Sequence, residues 1–143
     1  MTEKLKKTYL ALLIPAIVAI VLAFGLRQTG LILLEPNIPT AFIAPFVFVL
    51  SVVFAIALPI LIRSLFAHTL RRRKSVSEAV LFRFERKLIF VSLLTPYLIL
   101  PAYLLNFSDF HLIGTALMAL YAVYYFYPSK KRIQFERRVF RAK

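Results

Sequence analysis

No cysteine and no tryptophan occur in this chain of 143 residues, which also holds only three glycines and six acidic residues. Without cysteine there is no disulfide, no iron–sulfur cluster and no thiolate metal site, and no mark of a redox compartment. Three glycines do not make a glycine-rich phosphate loop. The acids are scattered rather than paired, no nucleophile has a base beside it, and the two histidines, His68 and His111, form no cluster for haem or metal. We therefore read the chain as a non-enzyme without a cofactor. With tryptophan missing, any aromatic belt at a membrane surface must be built from tyrosine and phenylalanine.

Apolar residues are what the chain has in excess. They make up 61% of it, with a mean hydropathy of +0.80, where a soluble domain carries roughly 45–50%. One small water-facing core cannot hide that much apolar surface, so lipid is the expected solvent for much of it. Little polar sequence is left over for a separate soluble domain, and residues 1–143 read as a single transmembrane domain.

Four apolar stretches supply the spans, the third with charged first turns expected to stand in the cytoplasm ahead of its uncharged run Leu88 to Phe107. The first, about 8–26, follows Lys4, Lys6 and Lys7. At about 1.5 Å of rise per residue it just crosses a hydrocarbon core of about 30 Å. Its basic start, apolar centre and small residues Ala23 and Gly25 also resemble a signal peptide, and we read it as a retained signal-anchor. Gly30, Pro36 and Pro39 stop it, and Leu31 to Leu34 between them are expected to lie at the outer interface or to lengthen the first helix. The second span, about 40–62, contains Pro45 and Pro59, and Pro59 is expected to bend the helix where it leaves the bilayer.

The third span, about 76–106, opens on the capping box Ser75-Val76-Ser77-Glu78 and carries an apolar stripe at Val76, Val80, Phe84 and Leu88. Pro96 and Pro101 should bend or unwind it, leaving Ser92, Thr95 and Tyr97 to cap the freed carbonyls. A short turn at Phe107 to Asp109, with Asp109 as N-cap, makes the fourth span, about 110–127, its antiparallel neighbour. That span ends in Tyr121, Tyr124, Tyr125 and Tyr127, an aromatic cluster suited to headgroup level.

Charge sets the expected orientation. Of the 19 Lys and Arg, all but Arg27 fall at the start, in a central elbow at 63–87, or in the tail at 129–143. The positive-inside rule then puts both termini and the elbow in the cytoplasm. The expected fold is all-α: an integral membrane four-helix bundle of two antiparallel transmembrane hairpins with both termini cytoplasmic, in a membrane of the bacterial inner type. A net charge of +13 would suit nucleic acid in a soluble protein. Here the cations sit at the ends of apolar segments, so anionic lipid headgroups are the expected partners instead.

The candidate docking residues are Arg71, Arg72, Arg73, Lys74, Arg83, Arg86 and Lys87 in the elbow and Lys130, Lys131, Arg132, Arg137 and Arg138 in the tail. They point to a small accessory, scaffold or sensor subunit that docks anionic lipid or a partner membrane protein. The apolar periodicity of the tail is poor, with Ile133 and Phe140 on one side and Phe135 and Val139 on the other. The alternative is an oligomeric channel or uncoupled transporter, lined by the proline-bent third helix through Pro96, Pro101, Ser92, Thr95, Tyr97 and Asn106. The small-residue pairs Ala19 and Ala23, Ser51 and Ala55, and Thr115 and Ala119 fit helix packing within a bundle or a homo-oligomer face. On the outer side Glu35, Asp109 and His111 do not match a metal motif. No ionisable residue is expected deep in any span. Phe84-Glu85-Arg86-Lys87 is echoed by Phe135-Glu136-Arg137-Arg138, which raises a hairpin duplication without establishing one.

Overall fold

The computed structural model describes residues 1–30, 39–71 and 76–141. Leu31 to Leu34, Glu35, Pro36, Arg72, Arg73, Lys74 and Ser75, singled out above, lie outside the described residues.

Helix α1 runs over Thr2–Gln28. It starts well before the uncharged stretch because lysine is a good helix former and Leu5 and Tyr9, one turn apart, both bury on the inner face. Helix α2 (Thr40–Val52) passes through a π-helical turn at Val53–Ala57 into α3 (Leu58–Leu70). Beyond the expected apolar span the helix continues past Pro59 and Arg63 to Leu70. Pro59 has no N–H to offer the carbonyl of Ala55, and the widened turn just before it takes up the mismatch.

Helix α4 (Glu78–Ser92) begins with Ser77 in extended backbone at the N-cap, so the helix starts two residues later than expected. Beyond Ser92 the chain unwinds as the prolines require, through a 3-10 turn at Thr95–Leu98 into the short helix α5 (Ile99–Leu104). The expected hydroxyl caps are not what forms. Ser92 and Thr95 are fully buried and their hydroxyls find no partner among the described residues. The Tyr97 hydroxyl instead donates across to the Leu12 carbonyl of α1 at 2.6 Å. That carbonyl neighbours the one of Ala11, from which Pro15 withholds a donor.

Asn106 ends α5 in the left-handed region, at φ 54. Its N–H donates to Tyr103 O at 3.2 Å and the N–H of Phe107 to Ala102 O at 3.1 Å, the paired bonds of a Schellman cap. Ala102 and Phe107 bury together, supplying the apolar contact that accompanies such a cap. Helix α6 (Asp109–Tyr125) then starts from Ser108, not Asp109, as N-cap. Asp109 sits in the first turn, where its charge suits the positive end of the helix.

The tail is a helix, α7 (Lys130–Val139), turned 74° from α6. The Ser129 hydroxyl caps it by accepting from the Arg132 N–H. Ile133 and Glu136 face inward with Phe140 half-buried, while Phe135 is 59% and Val139 50% exposed. The helix is thus two-faced, and purely apolar periodicity misses this because one inward residue is a carboxylate.

Three helical stretches, Thr2–Gln28, Thr40–Leu70 and Glu78–Leu104, are long and apolar enough to cross a membrane, and the bent pair α6 and α7 makes a fourth if counted as one. Of the most apolar window in each, 17%, 22% and 39% is buried, so the broken third stretch is the most buried of the three. Apolar side chains such as Val21, Phe42, Phe46 and Leu120 stand outward. Both pairs Ser51 and Ala55, and Thr115 and Ala119, are buried inside the molecule, where α2 packs on α6. At Gly114 of α6 an added Cβ would stand 2.6 Å from the Phe48 ring. Gly114→Ala should therefore destabilise by about 1–3 kcal/mol through overpacking, whereas Gly25→Ala, with open space around it, should not. Thermal unfolding in mild detergent measures both, and equal melting temperatures would refute the close approach.

Candidate functional site: a buried charge cluster beneath a cationic face

The start of α1, the end of α3, the first turns of α4 and all of α7 meet at one end of the molecule. Leu5 and Tyr9 pack with Ile89, Leu93 and Ile133, and Met1, Phe66 and Phe140 pack against Leu81, Phe84 and Leu88. The Tyr9 hydroxyl also donates to the Val123 carbonyl of α6 at 2.7 Å. Arg27 lies at the opposite end. Its guanidinium donates to the Tyr103 carbonyl and to Asn106 Oδ1, both at 2.8 Å, and covers the Tyr103 ring at 4.7 Å. A cation at the carbonyl end of α5 meets the negative end of that helix.

Within the crowded end, two carboxylates are turned inward. Arg132 of α7 donates to Glu85 Oε2 of α4 at 2.8 Å, and Arg63 of α3 donates to Glu136 of α7. Glu85 is fully buried and Glu136 nearly so, and the charges of Arg132, Glu136 and Arg63 all act on Glu85. Each member of the sequence echo at Phe84 and Phe135 thus contributes its glutamate to one cluster. The resemblance ends there, because Phe84 is buried and Phe135 exposed. An aromatic wall encloses the cluster. Phe66 stacks on Phe84 with centroids 3.9 Å apart, Phe140 meets both edge-on, and Arg132 lies over the Phe126 ring at 5.3 Å.

The sequence reading missed both pairs, since neither acid falls in an uncharged stretch and neither partner is near it in the chain. The one available signal was that each glutamate stands about one helical turn after an apolar residue that proves to be buried, Leu81 before Glu85 and Ile133 before Glu136. Chemically the cluster is a clamp. Charges this buried attract strongly but are costly to leave alone, and Glu85 Oε1, Glu136 Oε2 and Arg132 Nη1 have no partner among the described residues. The two pairs tie α7 to α3 and α4.

Of the docking candidates, Arg132 is therefore committed inward to Glu85, and Arg137 pairs with the exposed Glu78 at 3.4 Å. Arg71, Arg83, Arg86, Lys87, Lys130, Lys131 and Arg138 are exposed and form no ion pair among the described residues. Of the channel-lining candidates, Ser92, Thr95 and Pro96 are buried, Tyr97 and Pro101 partly buried, and Asn106 is held by Arg27. On the far side His111 Nδ1 bonds the Ser108 hydroxyl at 2.7 Å, and the described residues contain no group of three metal-ligating side chains. No family model, no curated protein and no solved structure matches the chain.

Removing one partner of a buried pair strands the other charge, at a cost of about 3–5 kcal/mol. Arg132→Met should lower the thermal stability of the detergent-solubilised protein accordingly, and adding Glu85→Leu should recover most of the loss. A double variant no more stable than the single one would show that Glu85 does not depend on Arg132.

Proposed function

We propose that the chain is a small non-catalytic accessory protein of the membrane. It is a four-helix bundle of two antiparallel hairpins in a bacterial-type inner membrane, both ends cytoplasmic, and its cationic inner face engages anionic lipid headgroups. The observation that carries this reading is the sorting of charge by place. Three separate cationic segments meet at one end of the molecule, Arg27 lies at the other, and two of the acids at the cationic end are turned inward against Arg132 and Arg63. Burying those acids leaves the outer surface of α7 and the start of α4 dominated by unpaired cations. Each basic residue near an anionic surface contributes about 1 kcal/mol.

The channel reading draws less support from the same geometry. The hydroxyls of Ser92, Thr95 and Tyr97 are turned among the helices of one chain, and Asn106 is occupied as a helix cap and a partner to Arg27. Two of the three small-residue pairs that would favour an oligomer face, Ser51 with Ala55 and Thr115 with Ala119, are buried within the chain.

Orientation is open to a direct test because the chain has no cysteine of its own. Single variants Lys131→Cys and Asp109→Cys, both at exposed positions, should label from opposite sides of inner-membrane vesicles with an impermeant maleimide. Labelling from the same side would overturn the topology. Lipid engagement is tested by replacing Lys130, Lys131 and Arg138 with Gln and measuring the lipids that co-purify. The anionic fraction should fall and the melting temperature should hold, while an unchanged anionic fraction would remove the proposed role.

A further inference from the structure

A groove between α3 and α4 carries a more specific reading, which rests on the lipid role proposed above. Ile62, Leu65, Phe66 and Thr69 form one stripe of α3, and Val80, Arg83, Phe84 and Lys87 form the facing stripe of α4, each at the i, i+3, i+4, i+7 spacing of one helix face. The floor is apolar, and Arg83 and Lys87 stand exposed at the rim with no ion pair among the described residues. Among the described residues no acid lines the groove. Its volume is about 560 Å³, within the roughly 300–1,000 Å³ typical of small-molecule sites.

The geometry points to this groove as a binding site for a single anionic phospholipid, its phosphate between Arg83 and Lys87 and the upper part of one acyl chain along the apolar floor. Two features select this occupant. Among the described residues the rim offers two cations and no anion, which complements a phosphodiester and repels a cationic group. The floor is also continuous with the outward apolar surface of α3, where Leu61 is 52% and Leu65 58% exposed, so a chain leaving the groove meets apolar side chains instead of water. Two cations one helical turn apart beside an apolar slot make a defined site, whereas the surface of α7 offers cations without a groove.

The test uses the full chain, delipidated in mild detergent, titrated with phosphatidylglycerol or phosphatidylcholine of the same acyl chains and observed by native mass spectrometry. One phosphatidylglycerol should be retained in preference to phosphatidylcholine. Arg83→Gln with Lys87→Gln should weaken its binding about thirtyfold, and Leu65→Trp, which fills the floor while leaving the charge intact, should weaken it as well. Replacing Lys130, Lys131 and Arg138 with Gln should leave this first adduct in place and weaken only further ones. Should both groove variants keep the adduct while the α7 variant loses it, the groove is not the site and the face-wide lipid role stands. Equal binding of the two lipids in every variant would remove both readings, and a dimer that disappears with the groove variants would assign the groove to a second copy of the chain.

Discussion

The arrangement depends on two carboxylates that cannot be left uncompensated. Glu85 and Glu136 are buried where water cannot solvate them, and each is held by an arginine from a different helix. Those two contacts join α3, α4 and α7, segments far apart in the chain. A buried pair of this kind adds little net stability compared with apolar packing, but it strongly penalises any arrangement that separates the partners. It therefore disfavours any placement of α7 that parts Glu85 from Arg132 or Glu136 from Arg63. Helix α7 can lie across the end of the molecule in one register, with Ile133 under it and Phe140 against the Phe66 and Phe84 stack.

That register determines what faces outward. Once Glu136 and Arg132 point in, the spacing of the helix puts Lys130, Lys131 and Arg138 on its outer side, together with Phe135 and Val139. Cations interleaved with exposed apolar side chains are the composition of a surface that rests in the headgroup region. The same logic operates on α4, where Glu85 inward leaves Arg83, Arg86 and Lys87 outward. The cationic face and the inward acids are two consequences of one sorting.

Proline and small residues shape the rest. Each proline removes a donor, and the chain answers in three ways: α1 and α2 pass through Pro15 and Pro45, a π-helical turn precedes Pro59, and a 3-10 turn contains Pro96. Which answer is used depends on the surroundings. The third helical stretch is the most enclosed and has neighbours to hold an unwound segment, as when Tyr97 bonds the Leu12 carbonyl. Close approach of α2 to α6 needs Gly114 and the buried small residues at 51, 55, 115 and 119.

Local composition alone determined that this chain is helical, carries several stretches apolar and long enough to cross a membrane, and unwinds near Pro96, because hydropathy runs and missing donors act within a few residues. It also separated Arg27 from the other cations, since charge counts need no coordinates. Helix limits were less legible: α3 runs on to Leu70 and α6 starts from Ser108, because capping and continuation depend on what a terminus packs against. The pairing of Glu85 with Arg132 and of Glu136 with Arg63, the Asn106 cap held by Arg27, and the groove between α3 and α4 were decided by tertiary structure. Each joins residues distant in the chain, and whether a charge faces a partner or solvent is settled by which helices meet, a property no single helix possesses.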